Sequence, residues 1–387
     1  MDASLSIATA LAAGLAGLPL LTAPRQTAAP EAAAGWSIYR GSPALIGTAQ
    51  GSIPDAPELL WSFEAGGAIT SSPVVAEGRV YFGADDYRIH ALDFATGEPL
   101  WSFATQDIVE APPLVRDGVV YAGSSDFFLY ALDAKDGKEL WRFETDDRVL
   151  GSANWTPGPG DESWILVGSY DTHLYCLDAK TGAEVWRYKT DNYINGTPAV
   201  LDGRVVFGGC DAGMHVVSTE SGKQVAKLQL GEESYIAGSA GLADGRAYFG
   251  HYGNAFVCVD IDAGEIVWSY PGDRPFFSSP AITRDRVVFG GRDKRVHCVQ
   301  RSDGEPLWSF KTGRKVDASP VVCGDRVVVG SGDGRLYLLD LADGNELWSY
   351  DVGRSIFSSP AVHDGVILVG ANDARLYAFG AKQDEER

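Results

Sequence analysis

A tryptophan recurs along this chain about every 40 residues, and this repeat constrains the fold more than any other feature. A glycine stands four residues before each of the last seven repeat positions. Such a period predicts an architecture in which each unit is one supersecondary motif that packs against its neighbours. The eight aligned positions are Trp61, Trp101, Trp141, Trp186, Ala226, Trp268, Trp308 and Trp348, with spacings of 40, 40, 45, 40, 42, 40 and 40 residues.

One repeat unit, residues 70–103, contains the pattern of four short strands. β-branched and aromatic residues fill segments 71–75, 79–83, 88–93 and 99–103, and turn-forming Gly, Asp and Thr residues separate them. Short apolar runs between such turns are typical of antiparallel meanders. A four-stranded meander repeated at this period predicts a β-propeller.

The two ends of the chain predict how the ring of repeats closes. The eighth unit stops near Phe379 without a fourth strand, whereas an unused strand pattern lies at residues 59–63. An N-terminal strand that completes the last sheet would leave no exposed edge. We therefore predict one all-β domain over residues 36–380, an eight-bladed β-propeller with four antiparallel strands per blade, followed by a polar tail at 381–387.

The first 35 residues differ in composition from the repeats. An Ala/Leu-rich run at residues 5–21 precedes an Ala/Pro/Thr-rich stretch at 22–35, which is similar to a secretory signal and its cleavage region. The start of the chain lacks the usual basic residues, so a single membrane anchor is the alternative. No cysteine follows the run, which argues against lipid attachment there. We predict an exported protein, periplasmic or secreted, with membrane anchoring as the alternative.

Charge and reactive residues exclude several function classes. With 52 acidic and 32 basic residues the net charge is −20, which disfavours nucleic-acid binding. The five cysteines are scattered singly, and three of the six histidines occupy a repeat column that elsewhere holds tyrosine. No metal-ligand spacing or catalytic motif is present. We predict no catalytic residue, no metal site and no cofactor.

The segment from Leu177 to Trp186, Leu-Asp-Ala-Lys-Thr-Gly-Ala-Glu-Val-Trp, resembles the repeat of the PQQ-like propeller family. That family includes quinoprotein dehydrogenases and BamB-type outer-membrane assembly factors, and the resemblance covers residues 36–380. It implies that the repeated tryptophans pack between neighbouring blades and that Ala226 marks a looser seam. It also implies a non-enzymatic interaction scaffold similar in architecture to the BamB type, although the lipidation cysteine of that type is missing here.

Two alternative functions remain open. A quinoprotein dehydrogenase would use PQQ and calcium, but those enzymes are longer, and many carry adjacent cysteines and large inter-blade insertions. Here only the connection at residues 154–163 is long. A sensor or carbohydrate-binding propeller is the other alternative, although most tryptophans here belong to the repeat.

Binding specificity should lie at positions where the blades differ. We expect the residues that precede the innermost strands to ring the mouth of the central channel: Thr70, Glu110, Leu150, Asn195, Ala237, Phe277, Asp317 and Phe357. On the same face, blades six to eight are rich in basic residues, whereas blades two, four and five are acidic.

This basic arc beside aromatic residues predicts docking of an acidic or extended, partly apolar segment of a protein partner. The alternative is a solvated charged rim. The propeller itself is predicted to be monomeric. The candidate partner-binding residues are Arg274, Phe276, Phe277, Arg292, Arg314, Lys315, Asp317, Arg354 and Phe357.

Overall fold

The computed structural model describes residues 35–231 and 233–382. The export segment predicted before residue 35 and the end of the polar tail lie outside these ranges. Eight four-stranded antiparallel units follow one another, and one of them carries a fifth, parallel strand. This confirms the predicted all-β, eight-bladed propeller.

We number the blades 1 to 8 in the order of their innermost strands. The innermost strands are Val74–Ala76, Leu114–Arg116, Asn154–Pro157, Ala199–Leu201, Gly241–Ala243, Ala281–Ile282, Val321–Cys323 and Ala361–His363. The second strands are Arg79–Ala84, Val119–Gly123, Ser163–Gly168, Arg204–Gly208, Arg246–His251, Arg286–Gly291, Arg326–Gly330 and Val366–Gly370. The third strands are Arg88–Asp93, Phe128–Asp133, His173–Asp178, Gly213–Ser218, Ala255–Asp260, Arg295–Gln300, Arg335–Asp340 and Arg375–Gly380. The outermost strands are Pro99–Ala104, Glu139–Glu144, Glu184–Lys189, Gln224–Gln229, Glu265–Pro271, Pro306–Lys311, Glu346–Asp351 and, in blade 8, Glu58–Glu64.

Burial explains the strand patterns. The second and third strands are sandwiched between neighbouring blades and are almost wholly buried, whereas the outermost strands alternate between exposed and half-buried residues. The innermost strand of blade 1 begins at Val74 rather than at the predicted Ser71. Ser71 and Ser72 instead form hydrogen bonds with residues of the neighbouring blades. Ser71 Oγ donates to Ala111 O at 3.1 Å, and Ser72 Oγ accepts from Ser359 N at 2.9 Å.

The ring closes with a strand from the N-terminus, as predicted. Strand Glu58–Glu64 pairs antiparallel with Arg375–Gly380, so that Trp61 lies opposite Ala378. Blade 8 therefore contains strands from both ends of the chain. Its sheet has four strands, and this pairing closes the ring of blades.

The N-terminal segment before this strand covers one end of the channel. Backbone carbonyls of Trp36, Ala44 and Ile46 accept hydrogen bonds from the innermost strands of blades 1, 5 and 6. A 3-10 turn, Tyr39–Gly41, lies within this segment, and strand Thr48–Ala49 pairs parallel with the innermost strand of blade 7. The segment therefore contacts blades on several sides of the ring.

Indole rings lie at the seams between blades. In six seams the indole Nε1 of the outermost strand donates to a backbone carbonyl of the next blade at 2.9–3.1 Å. The repeated glycine leaves room for the indole of the preceding blade. At Gly137, which has φ +72°, a Cβ would lie only 2.6 Å from the Trp101 ring. Trp348 instead packs against Phe379 with ring centroids 5.5 Å apart.

The seam between blades 4 and 5 is different because Ala226 replaces the indole. A Cβ on Gly264, the counterpart of Gly137, would meet no atom within 4 Å. An ion pair between Arg204 and Asp262 bridges the two blades near this space. The seam thus has an unfilled volume where its equivalents hold an aromatic ring.

A candidate binding face around the central channel

The central channel is a blind pocket that opens on one face of the ring. Its volume is about 180 Å³. We call the open face, formed by the inter-blade loops and the turns between second and third strands, the mouth face. Tyr39 lies at the closed end, where its hydroxyl is 3.1 Å from Ser319 Oγ. The structure places all eight predicted ring positions in the lining, namely Thr70, Glu110, Leu150, Asn195, Ala237, Phe277, Asp317 and Phe357.

A buried arginine supports the closed end. Arg40 is 1% exposed, and its guanidinium donates to the backbone carbonyls of Pro280 at 2.7 Å and Pro320 at 2.5 Å. Burial lowers the pKa of Arg40 to about 10, so the side chain remains charged at neutral pH. This charged floor belongs to the fold, because both terminal nitrogens of the guanidinium donate to carbonyls of blades 6 and 7.

Below the mouth, hydroxyl groups link the blades in a nearly continuous ring. A backbone N–H of each of six blades donates to a hydroxyl of the next blade at 2.8–3.0 Å. In blade 2 the equivalent residue is Pro112, which has no N–H and interrupts the ring. These hydroxyls are structural. The residues of the ring are Ser152, Thr197, Ser239, Ser279, Ser319, Ser359 and Ser72.

Two inter-blade loops share the same threonine hydrogen bond but differ in charge. Thr105 Oγ1 donates to Asp107 O at 2.7 Å, and Thr312 Oγ1 donates to Arg314 O at 2.6 Å in the equivalent loop. At this position the carboxylate of Asp107 also accepts from the next N–H at 2.8 Å, which an arginine cannot do. The loop therefore forms without an arginine, and the fold does not require Arg314.

This loop position is polarised around the ring. Blades 2 and 3 are preceded by acidic residues there, blade 4 by Asn192, and blades 6, 7 and 8 by arginine. The three arginines are exposed and form no ion pair with any residue of the described ranges. We call Arg274, Arg314 and Arg354 the arginine arc.

The other predicted cations lie closer to the channel and are already paired. Arg292 contacts Asp317 through two hydrogen bonds of 3.0 and 3.1 Å, and its guanidinium lies 3.7 Å from the centre of the Phe277 ring. Lys315 Nζ lies 2.6 Å from Asp317 and 5.0 Å from the centre of the Phe357 ring. Phe277 and Phe357 are thus held as half-buried walls of the channel.

Phe276 must be removed from the predicted binding surface. Its side chain is 0% exposed and packs at right angles to Phe289, with ring centroids 5.2 Å apart. Successive residues of an extended segment point in opposite directions, so Phe276 enters the core while Phe277 faces the channel. A partner cannot contact Phe276 in this folded state.

Sequence reasoning missed a crescent of tyrosines on the mouth face. Tyr170 and Tyr193 stack with ring centroids 5.0 Å apart. The ring centroids of Tyr252 and Phe277 lie 4.4 Å apart. Tyr193 and Tyr252 are 46% and 44% exposed. We call Tyr170, Tyr193, Tyr235 and Tyr252 the tyrosine crescent. Comparison of blades at positions beside the ring column could have found them, because these positions also differ from blade to blade.

Two acids of the mouth face, one in blade 2 and one in blade 4, are structural. Asp126 accepts a hydrogen bond from Tyr130 OH at 2.7 Å, and Asp211 accepts one from His215 at 2.8 Å. Burial alone would raise the pKa of Asp211, but the hydrogen bond and charge of His215 outweigh it and lower the pKa to about 2. Histidine here replaces the repeated tyrosine.

The described ranges contain no group of three or more His, Cys, Asp or Glu that could hold a metal ion. They also contain no helix with the length and hydropathy needed to cross a membrane.

The channel does not fit PQQ, the cofactor of the quinoprotein enzymes. Its volume is about 180 Å³, whereas pockets for small molecules are typically about 300–1,000 Å³. PQQ carries three carboxylates, but the charged residues in the described lining are Glu110 and Asp317, which are both acidic. Glu110, which forms no ion pair in the described ranges, would repel a carboxylate of the cofactor.

Comparison with known proteins agrees with this architecture. The family model described as outer membrane protein assembly factor BamB matches residues 53–154, 129–233, 211–296 and 292–385. A search of curated proteins finds no match.

Three solved structures illustrate how widely the fold is shared. BamB from Moraxella catarrhalis is 21% identical with a TM-score of 0.71, covering 86% of this chain and 100% of that chain. The computationally designed Ika8 protein is 19% identical with a TM-score of 0.74, covering 84% and 100%. The quinohemoprotein alcohol dehydrogenase from Comamonas testosteroni is 15% identical with a TM-score of 0.77, covering 92% and 82%. At these identities the likeness concerns the fold alone.

Proposed function

Because this chain belongs to the family described as outer membrane protein assembly factor BamB, we propose that it is an exported, non-enzymatic scaffold that binds a protein partner through its mouth face. The partner contributes an acidic or extended segment that lies across the arginine arc and the tyrosine crescent. The scaffold acts as a monomeric propeller in the periplasm or outside the cell.

The arginine arc is the observation that carries this proposal. Arg314 stands where other blades place a loop-capping acid or amide, and its loop has the same threonine bond. Its guanidinium is exposed and unpaired within the described ranges. Three such cations in consecutive blades of a protein with net charge −20 favour binding of an acidic segment. The adjacent aromatic rings supply the apolar contacts that often dominate an interface.

Reversal of the arc tests the proposal. The tagged wild-type protein is used to capture partners from the native host, alongside R274E/R314E/R354E and the control K135E/K180E/K223E. The control changes three exposed lysines on the opposite face by the same charge. We expect the wild type and the control to retain the same partner and the arc variant to lose it. Lys315 is left intact because a glutamate there would face Asp317, which lies 2.6 Å from Lys315 Nζ.

Salt dependence provides a second readout. Partner binding by the wild type should weaken as salt rises, and the residual binding of the arc variant should respond less. Equal capture by the arc variant at low salt would show that the arc is not the binding site. A saturable complex with PQQ and calcium, with dye-linked alcohol oxidation, would instead support the dehydrogenase alternative.

A further inference from the structure

The open end of the channel presents hydrogen-bond acceptors that lack donors. Thr70 Oγ1 and Asn195 Oδ1 are buried atoms without a hydrogen-bond partner in the described ranges. The amide nitrogen of Asn195 is engaged, since it donates to Cys210 Sγ at 3.0 Å. Buried polar atoms without a partner are unfavourable, so a ligand that donates hydrogen bonds to these two oxygens would be stabilised.

Glu110 adds a carboxylate without a direct partner to these acceptors. Its half-buried carboxylate lines the channel and forms no hydrogen bond or ion pair within the described ranges. The nearby guanidinium of Arg148 is directed elsewhere, 4.6 Å from the centre of the Tyr170 ring and 3.6 Å from Asp147. Burial raises the pKa of Glu110, and the charge of Asp85 raises it further, whereas the charge of Arg148 lowers it.

On the opposite side of the channel, the acidic residue is already paired with basic side chains. The carboxylate of Asp317 is neutralised by Arg292 at 3.0 Å and by Lys315 at 2.6 Å. The channel therefore offers one unpaired carboxylate, two neutral acceptors and aromatic walls. A ligand that matches it must be positively charged, rich in donors and small enough for a pocket of about 180 Å³.

We propose that the channel receives one ammonium or guanidinium group, the side chain of a lysine or arginine in the partner segment, with Glu110 as its counter-ion. The apolar stem of the side chain would pack against the aromatic walls, while the carboxylate of Glu110 favours a cation over a neutral group. This inference rests on the proposed function. It adds a basic residue to a segment whose acidic residues lie over the arginine arc, so the segment carries charges of both signs.

Single amino-acid amides test the channel without the partner. Acetyl-lysine amide and acetyl-arginine amide are titrated into the full chain at low salt, and acetyl-norleucine amide and acetyl-citrulline amide serve as neutral counterparts. We expect millimolar binding of at least one cation, about tenfold tighter than its neutral counterpart. Binding is measured by calorimetry and by the fluorescence of the neighbouring tyrosines.

Variants assign the binding to the channel. E110Q keeps the shape and an acceptor but removes the charge, so it should weaken cation binding about tenfold. T70V removes only one acceptor and should weaken binding severalfold. The exposed Glu98 lies on the opposite face, so E98Q should bind like the wild type.

Three results would overturn the inference: equal binding of charged and neutral amides, unchanged binding by both E110Q and T70V, or equal loss in E98Q. The first would indicate an apolar pocket, and the last a general effect of surface charge. If the amides fail while reversal of the arginine arc still abolishes partner capture, the scaffold proposal stands without this inference. If E110Q does not fold, the severalfold loss of cation binding expected for T70V still tests the inference.

Discussion

The two ends of the central channel have opposite chemistry. At the closed end, Arg40 and the aromatic ring of Trp36 are buried, with exposures of 1% and 2%, and backbone bonds tie the N-terminal segment to the blades. At the mouth, the arginine arc and Tyr193 are exposed, and Glu110 has no partner in the described ranges. Changes at the closed end and the seams should therefore alter stability, whereas changes at the mouth should alter binding.

Removal of the closed end should give the largest effect. Deletion of residues 36–63 removes the buried lid and the outermost strand of blade 8, which pairs with Arg375–Gly380. We expect a loss of more than about 5 kcal/mol in the free energy of unfolding. Deletion of residues 1–34, which the structure does not describe, should cost almost nothing. Equal melting temperatures for the two truncations would contradict this mode of closure.

Removal of an indole from a filled seam should have the next largest effect. Trp101→Ala leaves a cavity beside Gly137 and removes one of the three hydrogen bonds that the Ala134 carbonyl accepts. We expect a loss of about 3–5 kcal/mol in chemical unfolding. Partner binding at 25 °C should be unchanged as long as the variant remains folded, and a binding defect in the folded variant would contradict the division between seams and mouth.

Asp211 tests whether a mouth-face residue can be structural. Its pKa in the folded state is about 2, below the ordinary value of 3.8. The carboxylate therefore contributes stability that is present above about pH 4 and is lost as the pH falls towards 2, a difference of about 2 kcal/mol. Urea unfolding of the wild type and D211N should differ at pH 6, and the difference should shrink as the pH falls and vanish below about pH 2. A difference independent of pH would rule out this ionised pair.

The loose seam should respond in the opposite direction to the filled one. Ala226→Trp places an indole where a Cβ on Gly264 would meet no atom within 4 Å. We expect a gain of about 1 kcal/mol, because the ring fills existing space. Thermal unfolding measures the gain. A loss of stability would mean that the seam between blades 4 and 5 is already closed by other contacts.

Reversal of the arginine arc should have the smallest effect on stability. Arg274, Arg314 and Arg354 are exposed and have no ion pair in the described ranges, so the triple glutamate variant should unfold within about 0.5 kcal/mol of the wild type. A larger loss, measured by urea titration, would show that these arginines support the fold and would weaken their assignment to binding.

The sequence alone determined the features that repeat. The 40-residue period, the glycines before the tryptophans and the unused strand pattern at residues 59–63 were enough to predict eight blades and their closure. The ring positions from Thr70 to Phe357 could also be placed near the channel, because each precedes an innermost strand. These features are predictable because each follows from local strand and turn propensities that recur in every blade.

The tertiary structure decided the features that do not repeat. Phe276 and Phe277 are adjacent and chemically identical, but packing against Phe289 buries the first, while the second lines the channel. Tyr170 and Tyr252 belong to different blades, and only the ring brings both to one crescent. The lid formed by Tyr39 and Arg40 has no counterpart in the repeats. Such contacts join residues far apart in the chain, and their geometry depends on the closed ring rather than on local sequence.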